Sequence, residues 1–176
     1  HIHPDYEVEM NLPGYHPEVR RAHSEQIAQV AAAIRRSKRP VIYAGGGVIA
    51  GDASENLRTL VEKTGIPVTM TLMGLGAFPS ADPQWLGMLG MHGTFEANLA
   101  MHDCDVMINI GARFDDRITG RLDAFSPNSK KIHIDIDPSS INKNVVVDVP
   151  IVGDVAHVLE DMLRVWKSRA AEPDKK

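Results

Sequence analysis

The sequence predicts an α/β fold, a Rossmann-like parallel sheet of about five to six strands with helices on both faces. Two observations carry this prediction. Short apolar runs, typical of strands buried on both faces, alternate along the chain with segments whose apolar residues recur at helical spacing. Glycine-rich turns follow several of the runs, as in sheets whose strands are joined by right-handed helical crossovers.

The elements follow from the amino terminus. A helix is predicted over 18–36, and the run 40–44 is predicted to be a buried strand that opens into the glycines 45–47. A second helix is predicted to begin at an acidic capping box formed by Asp52 and Glu55. The apolar face of the first helix consists of Ile27, Val30, Ala31 and Ile34.

Gly65 is predicted to end the second helix, and residues 66–71 form the next strand. A long glycine-rich loop is then expected over 73–93. Thr94 is predicted to cap a helix that runs as far as Cys104 and carries Phe95, Leu99 and Ala100.

The second half of the chain repeats the alternation. Residues 106–110 and 131–135 are predicted strands, and 145–152 contains a short further strand. The final helix is predicted over 155–166, beginning just after Asp154.

Composition excludes several classes of protein. The net charge of −4, with no long Lys/Arg run, argues against nucleic acid or an anionic membrane as the main partner. No apolar run reaches the roughly 18 residues of a membrane span, and no signal peptide is recognised, so we expect a cytoplasmic protein. The single cysteine, Cys104, excludes a disulfide framework and a cysteine-based metal site.

The predicted organisation is one domain with two flanking segments. The polar, proline-containing stretch 1–17 is expected to be a linker cut from something longer. Residues 18–168 form the domain, and 169–176 are expected to be a charged tail or linker.

The candidate ligand site lies beyond the carboxyl ends of the strands. Glycine-rich turns at 45–47 and 71–74 could bring bare backbone close to a pyrophosphate. Arg113 and Arg117 could pair with phosphate, and Asp135 could accept hydrogen bonds from a ribose. Together these residues predict a dinucleotide site.

Other interpretations remain open for each signal. Glycine turns occur in many α/β folds that bind no nucleotide, and the charged run 115–117 could be a solvated salt-bridge cluster. His133, Asp135 and Asp137 alternate along a strand, which suggests a metal, but no other cluster has ligand spacing, so no metal site is predicted. His92 is more typical of a turn than of a catalytic base.

Five blocks of sequence resemble the central domain of the acetohydroxyacid synthase (acetolactate synthase) large subunit, a thiamine diphosphate enzyme. They stand in the family's order and extend the resemblance from about Leu12 to Leu163. The blocks are 39–47 (RPVIYAGGG), 64–76 (with TGIPV and TLMGLG), 89–94 (LGMHGT), 111–117 (GARFDDR) and 133–137 (HIDID).

The resemblance implies a role within a larger enzyme. The family condenses two pyruvates, or pyruvate with 2-oxobutyrate, to acetohydroxy acids of branched-chain amino-acid biosynthesis, using thiamine diphosphate, Mg²⁺ and FAD. Its central domain binds FAD as a scaffold. The implied FAD contacts are Gly46, Thr71, Leu72, Leu89, Gly90, Met91, His92, Gly111, Ala112, Arg113, Phe114, Asp115, Asp116, Arg117, Asp135, Ile136, Gly153 and Asp154.

The family's other parts are expected outside this sequence. Its amino- and carboxyl-terminal domains hold the thiamine diphosphate and Mg²⁺, so this chain is expected to be inactive alone. The resemblance also implies a homodimeric or homotetrameric parent with a regulatory subunit, and it places Met91, Asp116 and Arg117 near a substrate channel where herbicides bind. A sister thiamine diphosphate enzyme of the glyoxylate carboligase or sulfoacetaldehyde acetyltransferase type, and a free-standing nucleotide-binding module, are the alternatives.

Overall fold

A six-stranded, all-parallel sheet forms the centre of the computed structural model, which describes residues 21–170. From one edge to the other the strand order is β3-β2-β1-β4-β5-β6. The chain therefore adds strands outward from β1 to β3 on one side, and then returns to add β4, β5 and β6 on the other side of β1. This is the doubly wound order typical of dinucleotide-binding folds, and it confirms the predicted fold class. The strands are β1 (Pro40–Ala44), β2 (Val68–Met70), β3 (Trp85–Met88), β4 (Val106–Ile110), β5 (Lys130–Asp135) and β6 (Val149–Val152).

Helices cover both faces of the sheet. No helix within residues 21–170 is long and apolar enough to cross a membrane. Two short 3₁₀ turns, Leu72–Gly74 and Leu122–Ala124, are also present. The α-helices are α1 (Ser24–Arg36), α2 (Gly46–Ala50), α3 (Ser54–Thr64), α4 (Phe95–Asp103), α5 (Asp116–Thr119) and α6 (Val155–Ala170).

Two separate apolar layers lie on the two faces of the sheet, and alternate residues of β1 and β4 contribute to both. On β1, Ile42 and Ala44 pack into the layer covered by α1, α3 and α6, whereas Val41 and Tyr43 pack into the opposite layer. That second layer is closed by α4 and by the segments around Phe114 and Phe125. Because β1 and β4 are buried on both faces, their sequences show continuous apolar runs instead of alternation.

A carboxylate fastens the end of α1 to the beginning of β4. Asp105 accepts hydrogen bonds from the Ser37 hydroxyl and from the backbone N–H groups of Lys38 (2.7 Å) and Arg39 (3.1 Å). Burial raises the pKa of Asp105, but these hydrogen bonds together outweigh it and leave the pKa below its usual value. The contact therefore stabilises the fold only while the carboxyl is ionised.

The structure corrects several details of the predicted elements and adds the short helix α5, which was not predicted. The first helix begins at Ser24, not earlier, because residues 21–23 are not helical. The capping box of Asp52 and Glu55 is wrong: α3 follows Ala53, and no side chain caps it. Helix α2 was missed, since a five-residue helix containing two glycines gives no periodic signal. The expected loop over 73–93 contains strand β3.

Thr94 is confirmed as a capping residue, and the last helix begins just after Asp154 as predicted. The Thr94 hydroxyl accepts the Ala97 N–H (3.2 Å) at the start of α4. The Asp154 carboxylate accepts the Ala156 N–H (2.9 Å), and α6 continues four residues beyond the predicted end, to Ala170. The predicted linker 1–17 and residues 171–176 of the predicted tail lie outside the described residues.

Candidate functional site

A cavity of about 640 Å³ lies at the carboxyl edge of the sheet, where the strand order reverses between β1 and β4. Segments that directly follow β1, β2, β4, β5 and β6 form its walls. In open parallel sheets this is the position at which ligands bind, because the loops on either side of the reversal diverge. The volume is typical of small-molecule sites, which span roughly 300–1,000 Å³.

Most of the residues predicted to contact a cofactor line this cavity, and a smaller group lies outside its wall. The predicted residues in the wall are Gly46, Thr71, Leu72, Gly111, Ala112, Arg113, Asp115, Arg117, Asp135, Ile136 and Asp154. Those outside it are Leu89, Gly90, Met91, His92, Phe114, Asp116 and Gly153.

Two glycine turns cross at the floor of the cavity. The Gly47 N–H donates to the Gly111 carbonyl (2.9 Å), which joins the turn after β1 to the turn after β4. A Cβ added to either residue would lie 2.7 Å from the Cα of the other, and Gly111 has φ +59°. Because neither position has room for a side chain, bare backbone faces the cavity here.

The turn after β2 is built in a related way. The Thr71 hydroxyl accepts the Gly74 N–H (2.9 Å), and a Cβ on Gly74 would lie 2.6 Å from the Ala44 carbonyl oxygen. The Thr71 N–H donates to the same Ala44 carbonyl (2.9 Å), which holds the turn against the end of β1. Leu72 and Met73, at the tip of the turn, are 68% and 76% exposed and give that wall an apolar rim.

The charged residues after β4 are exposed and only loosely paired. An ion pair of 3.4 Å joins Arg113 to Asp115, and one of 3.8 Å joins Arg117 to Asp116. Exposed pairs of this kind contribute little to stability. The arrangement agrees with a solvated cluster, and it also leaves both guanidinium groups free to turn towards an anion in the cavity.

Asp135 and His133 have different surroundings although they alternate on β5. The Asp135 carboxylate lines the cavity and accepts the Asp137 N–H (2.9 Å) through one oxygen. His133 is buried, and its Nε2 donates to the Ala112 carbonyl (2.9 Å), which orients the turn after β4. Within residues 21–170 no group of three His, Cys, Asp or Glu side chains could hold a metal ion.

The segment 89–92 lies beside the cavity and is tied to its rim. The Met91 N–H donates to the Arg117 carbonyl (3.2 Å). The Asn98 side chain accepts the Gly90 N–H (3.1 Å) and donates to the Gly90 carbonyl (3.0 Å). Leu89 is buried, whereas Met91 and His92 are exposed. Nothing in the sequence singles out Asn98, because its contacts depend on how α4 packs against the loop.

The remaining predicted residues have clear positions. The Phe114 ring is buried beneath the cavity and packs against Tyr43 (6.2 Å between ring centroids) and His133 (5.2 Å). Asp116 is exposed on α5, and the Gly153 N–H donates to the Asp135 carbonyl (3.0 Å) behind the cavity wall.

Several residues of the wall were not predicted. Most of them belong to segments already singled out, so the strand-end rule would have included them. Tyr43 is different, because it lies within a strand that shows only an apolar pattern. The unpredicted residues are Tyr43, Gly47, Ala50, Gly51, Met73, Ile118, Asp137, Ser140 and Val155.

The residues of the cavity fit a phosphate-containing nucleotide. Bare backbone at the crossed glycine turns allows a diphosphate to approach closely, and Arg113 supplies a positive charge that is 68% exposed at its edge. Asp135 supplies an acceptor for sugar hydroxyls at the end of β5. The arrangement therefore provides groups that can bind such a ligand.

Comparison with known proteins places the chain in a family. Residues 27–162 match the family model described as the thiamine pyrophosphate enzyme, central domain. The acetolactate synthase large subunit of Haemophilus influenzae is 50% identical over 161 residues, which are 92% of this chain and 27% of that protein.

Two mycobacterial relatives show similar agreement. The acetolactate synthase of Mycobacterium avium is 52% identical over 162 residues, 92% of this chain and 26% of that protein. The acetolactate synthase large subunit of Mycobacterium tuberculosis is 53% identical over 158 residues, 90% of this chain and 25% of that protein. The chain thus spans about a quarter of the length of the curated relatives it matches.

Proposed function

The chain belongs to the thiamine pyrophosphate enzyme family as its central domain, and from this premise we propose that it is the FAD-binding domain of an acetolactate synthase large subunit. The relatives named above carry that activity in their names. The parent enzyme would condense two pyruvates, or pyruvate and 2-oxobutyrate, and thiamine diphosphate with Mg²⁺ would supply that chemistry from other domains. This chain would therefore bind FAD and be inactive by itself.

The observation that carries the FAD proposal is the crossing of the Gly47 and Gly111 turns below a cavity at the reversal of strand order. A dinucleotide needs a long cleft with a backbone floor for its diphosphate and an acceptor for a ribose. The cavity extends from the turn after β2 to Asp135 and Asp154 at the ends of β5 and β6. These separate walls could hold different parts of a dinucleotide.

Arg113 is the group that we assign to the diphosphate. Its side chain is 68% exposed, and its pair with Asp115 is long at 3.4 Å. Rotation towards the cavity would exchange a weak, screened ion pair for a bidentate, charge-assisted pair with phosphate. The exchange favours the bound state because the exposed ion pair that Arg113 would give up contributes little free energy.

Asp135 is the group that we assign to a ribose. One carboxylate oxygen is occupied by the Asp137 N–H, and the other lies 3.7 Å from His133 Nε2, beyond hydrogen-bond length. That second oxygen can accept a sugar hydroxyl. Since the Asp135 residue is only 8% exposed, its geometry is fixed before the ligand arrives.

The test is a flavin-fluorescence titration of the 176-residue chain with FAD, run beside NAD. We expect saturable quenching with FAD, and a dissociation constant raised about tenfold or more by Arg113→Ala, since a charge-assisted hydrogen bond contributes roughly 1.5–3 kcal/mol. Arg58→Ala is the matched control because Arg58 is exposed and paired with Glu62 on α3, away from the cavity. Equal affinities of all three proteins would contradict the role of Arg113, and no FAD binding by the unchanged chain would contradict the proposed function.

The larger assembly follows from the same proposal. The chain would operate with amino- and carboxyl-terminal domains of the same polypeptide, in a homodimeric or homotetrameric enzyme that has a regulatory subunit. A cytoplasmic location is proposed on the single, unpaired Cys104, which suits a reducing compartment. A continuous reading frame that encodes thiamine diphosphate domains would support this proposal against a free-standing nucleotide-binding module.

A further inference from the structure

Four polar side chains form a row across the sheet, just before the strand ends. Thr69 on β2 is in register with Tyr43 on β1, Tyr43 with Asn109 on β4, and Asn109 with His133 on β5. All four residues are completely buried, at 0% exposure. Buried polar groups normally form hydrogen bonds, so the partners of each side chain in the row indicate its structural role.

Three members of the row have partners that explain their presence. Thr69 donates to the Gly87 carbonyl (3.2 Å), which fastens the edge strand β3. Asn109 (2.8 Å) and His133 (2.9 Å) both donate to the Ala112 carbonyl and hold the turn after β4. Each of these two keeps one unpaired atom, but neither residue lines the cavity.

Tyr43 is the exception. Its hydroxyl is buried, and no group of the chain between residues 21 and 170 forms a hydrogen bond with it. Packing does not explain the hydroxyl, because the ring stacks on Phe114 in an apolar layer that phenylalanine would fill equally well. A buried hydroxyl without a partner is costly. Tyr43 is also the member of the row that lines the 640 Å³ cavity.

The surroundings keep this hydroxyl protonated. Burial is the main cause that raises the pKa of Tyr43, and the nearby carboxylate of Asp115 raises it further. A phenol that retains its proton can donate a hydrogen bond to an oxygen or nitrogen acceptor throughout the physiological pH range. Asp115 is also part of the cavity wall. The hydroxyl itself has no exposed surface in the free protein, so contact with a ligand requires a residue of the wall to move aside on binding.

We propose that the Tyr43 hydroxyl donates a hydrogen bond to an oxygen or nitrogen acceptor of the nucleotide in the cavity, which makes β1 itself a source of ligand specificity. This inference rests on the proposed function, since it takes the FAD site as its premise. It adds a contact from the strand interior to those from the strand-end loops. The free protein would carry the unpaired hydroxyl, and ligand binding would satisfy it.

The test compares Tyr43→Phe with Thr69→Val in the 176-residue chain, measuring the melting temperature without ligand and the dissociation constant for FAD. Both changes remove one buried hydroxyl from adjacent positions of the same row. For Tyr43→Phe we expect an unchanged or higher melting temperature, because no bond within the described protein is lost, and FAD binding weakened about 2- to 12-fold. For Thr69→Val we expect a melting temperature lowered by about 2–4 °C and unchanged FAD affinity.

The two variants should differ in which quantity changes, FAD affinity for Tyr43→Phe and melting temperature for Thr69→Val. This difference separates a ligand contact from a structural role. Unchanged FAD affinity in Tyr43→Phe would overturn the inference while leaving the proposed function intact. A fall in melting temperature as large as that of Thr69→Val, with affinity unchanged, would show that the hydroxyl serves the fold and would also overturn it. Failure of the unchanged chain to bind FAD would overturn the proposed function and this inference with it.

Discussion

Replacing Gly111 with alanine should separate the two turns that form the floor of the cavity. Gly111 has φ +59°, where an L-residue costs about 1–2 kcal/mol. Its new Cβ would lie 2.7 Å from the Gly47 Cα, about 0.7 Å short of the 3.4 Å at which ordinary contact begins. Because the obstructing atoms are backbone, relief requires the turns to move, which adds roughly 1–3 kcal/mol as overpacking does. We expect a total loss of about 2–5 kcal/mol in the free energy of unfolding, from the sum of these two terms.

Gly65→Ala is the matched control. Gly65 has φ +68° at the end of α3, and a Cβ there would meet nothing within 4 Å, so this variant carries the backbone strain without the collision. Urea denaturation of both variants should give a difference of about 1–3 kcal/mol between them. FAD affinity should fall only for Gly111→Ala. Equal destabilisation of the two variants would refute the account of the crossed turns.

Three further predictions concern contacts around the site. Asn98→Ala removes the hydrogen bonds that hold Gly90. We expect calorimetry to show a melting temperature lowered by about 4–8 °C, equivalent to ~2 kcal/mol. A change below about 1 °C would contradict this prediction. The lowered pKa of Asp105 means that its contribution is present above its unfolded pKa near 3.9 and is lost as the pH falls through the folded value. Asp105→Asn should therefore be less stable than the unchanged chain at pH 7. Its free energy of unfolding should also fall less as the pH is lowered. The same dependence of that free energy on pH in both proteins would contradict this prediction. Burial raises the pKa of the Cys104 thiol, so a disulfide reagent should label it slowly in the native protein and quickly in urea, and fast native labelling would show that the cysteine is accessible.

The sheet was predictable because buried parallel strands leave a strong signal. Val106–Ile110 is apolar apart from Asn109, and it is followed by Gly111, so both the strand and its exit were evident. Strand β3 gave no such signal. It is an edge strand of four residues interrupted by Gly87, whose φ of +99° marks an irregularity in its pairing with β2. Tertiary pairing, and not local propensity, makes that segment a strand.

Helix ends were predictable where local chemistry marks them, by a capping side chain or, at the end of α3, by Gly65 with φ +68°. The Thr94 hydroxyl accepts a backbone N–H as expected, because that chemistry is local. The Asp154 carboxylate does the same at the predicted start of the last helix. Asp52 has the right residue type, but it adopts φ +49° and lies one residue before Ala53, the residue that precedes α3. Phe95 is 74% exposed on α4, so apolar residues at helical spacing do not always mark the face that packs inside the domain.

The site was predictable as a set of strand ends and not as a set of side-chain contacts. Topology alone brings the turns after β1 and β4 together, so Gly46, Gly111 and Asp135 could be expected around one cavity. The roles of Tyr43 and Asn98 depend on which partners the folded chain leaves or gives them. Only the three-dimensional arrangement contains that information.

Hydrogen–deuterium exchange of the 176-residue chain, with and without FAD, tests most directly whether the cavity at the carboxyl edge is the flavin site. On FAD addition we expect slower exchange in the segments around the cavity, 45–51, 71–74, 111–118 and 135–140. We expect no change at 37–40 and 64–67, which border a second cavity of about 520 Å³ at the opposite edge of the sheet. Protection at that opposite edge, or none anywhere at saturating FAD, would contradict the account.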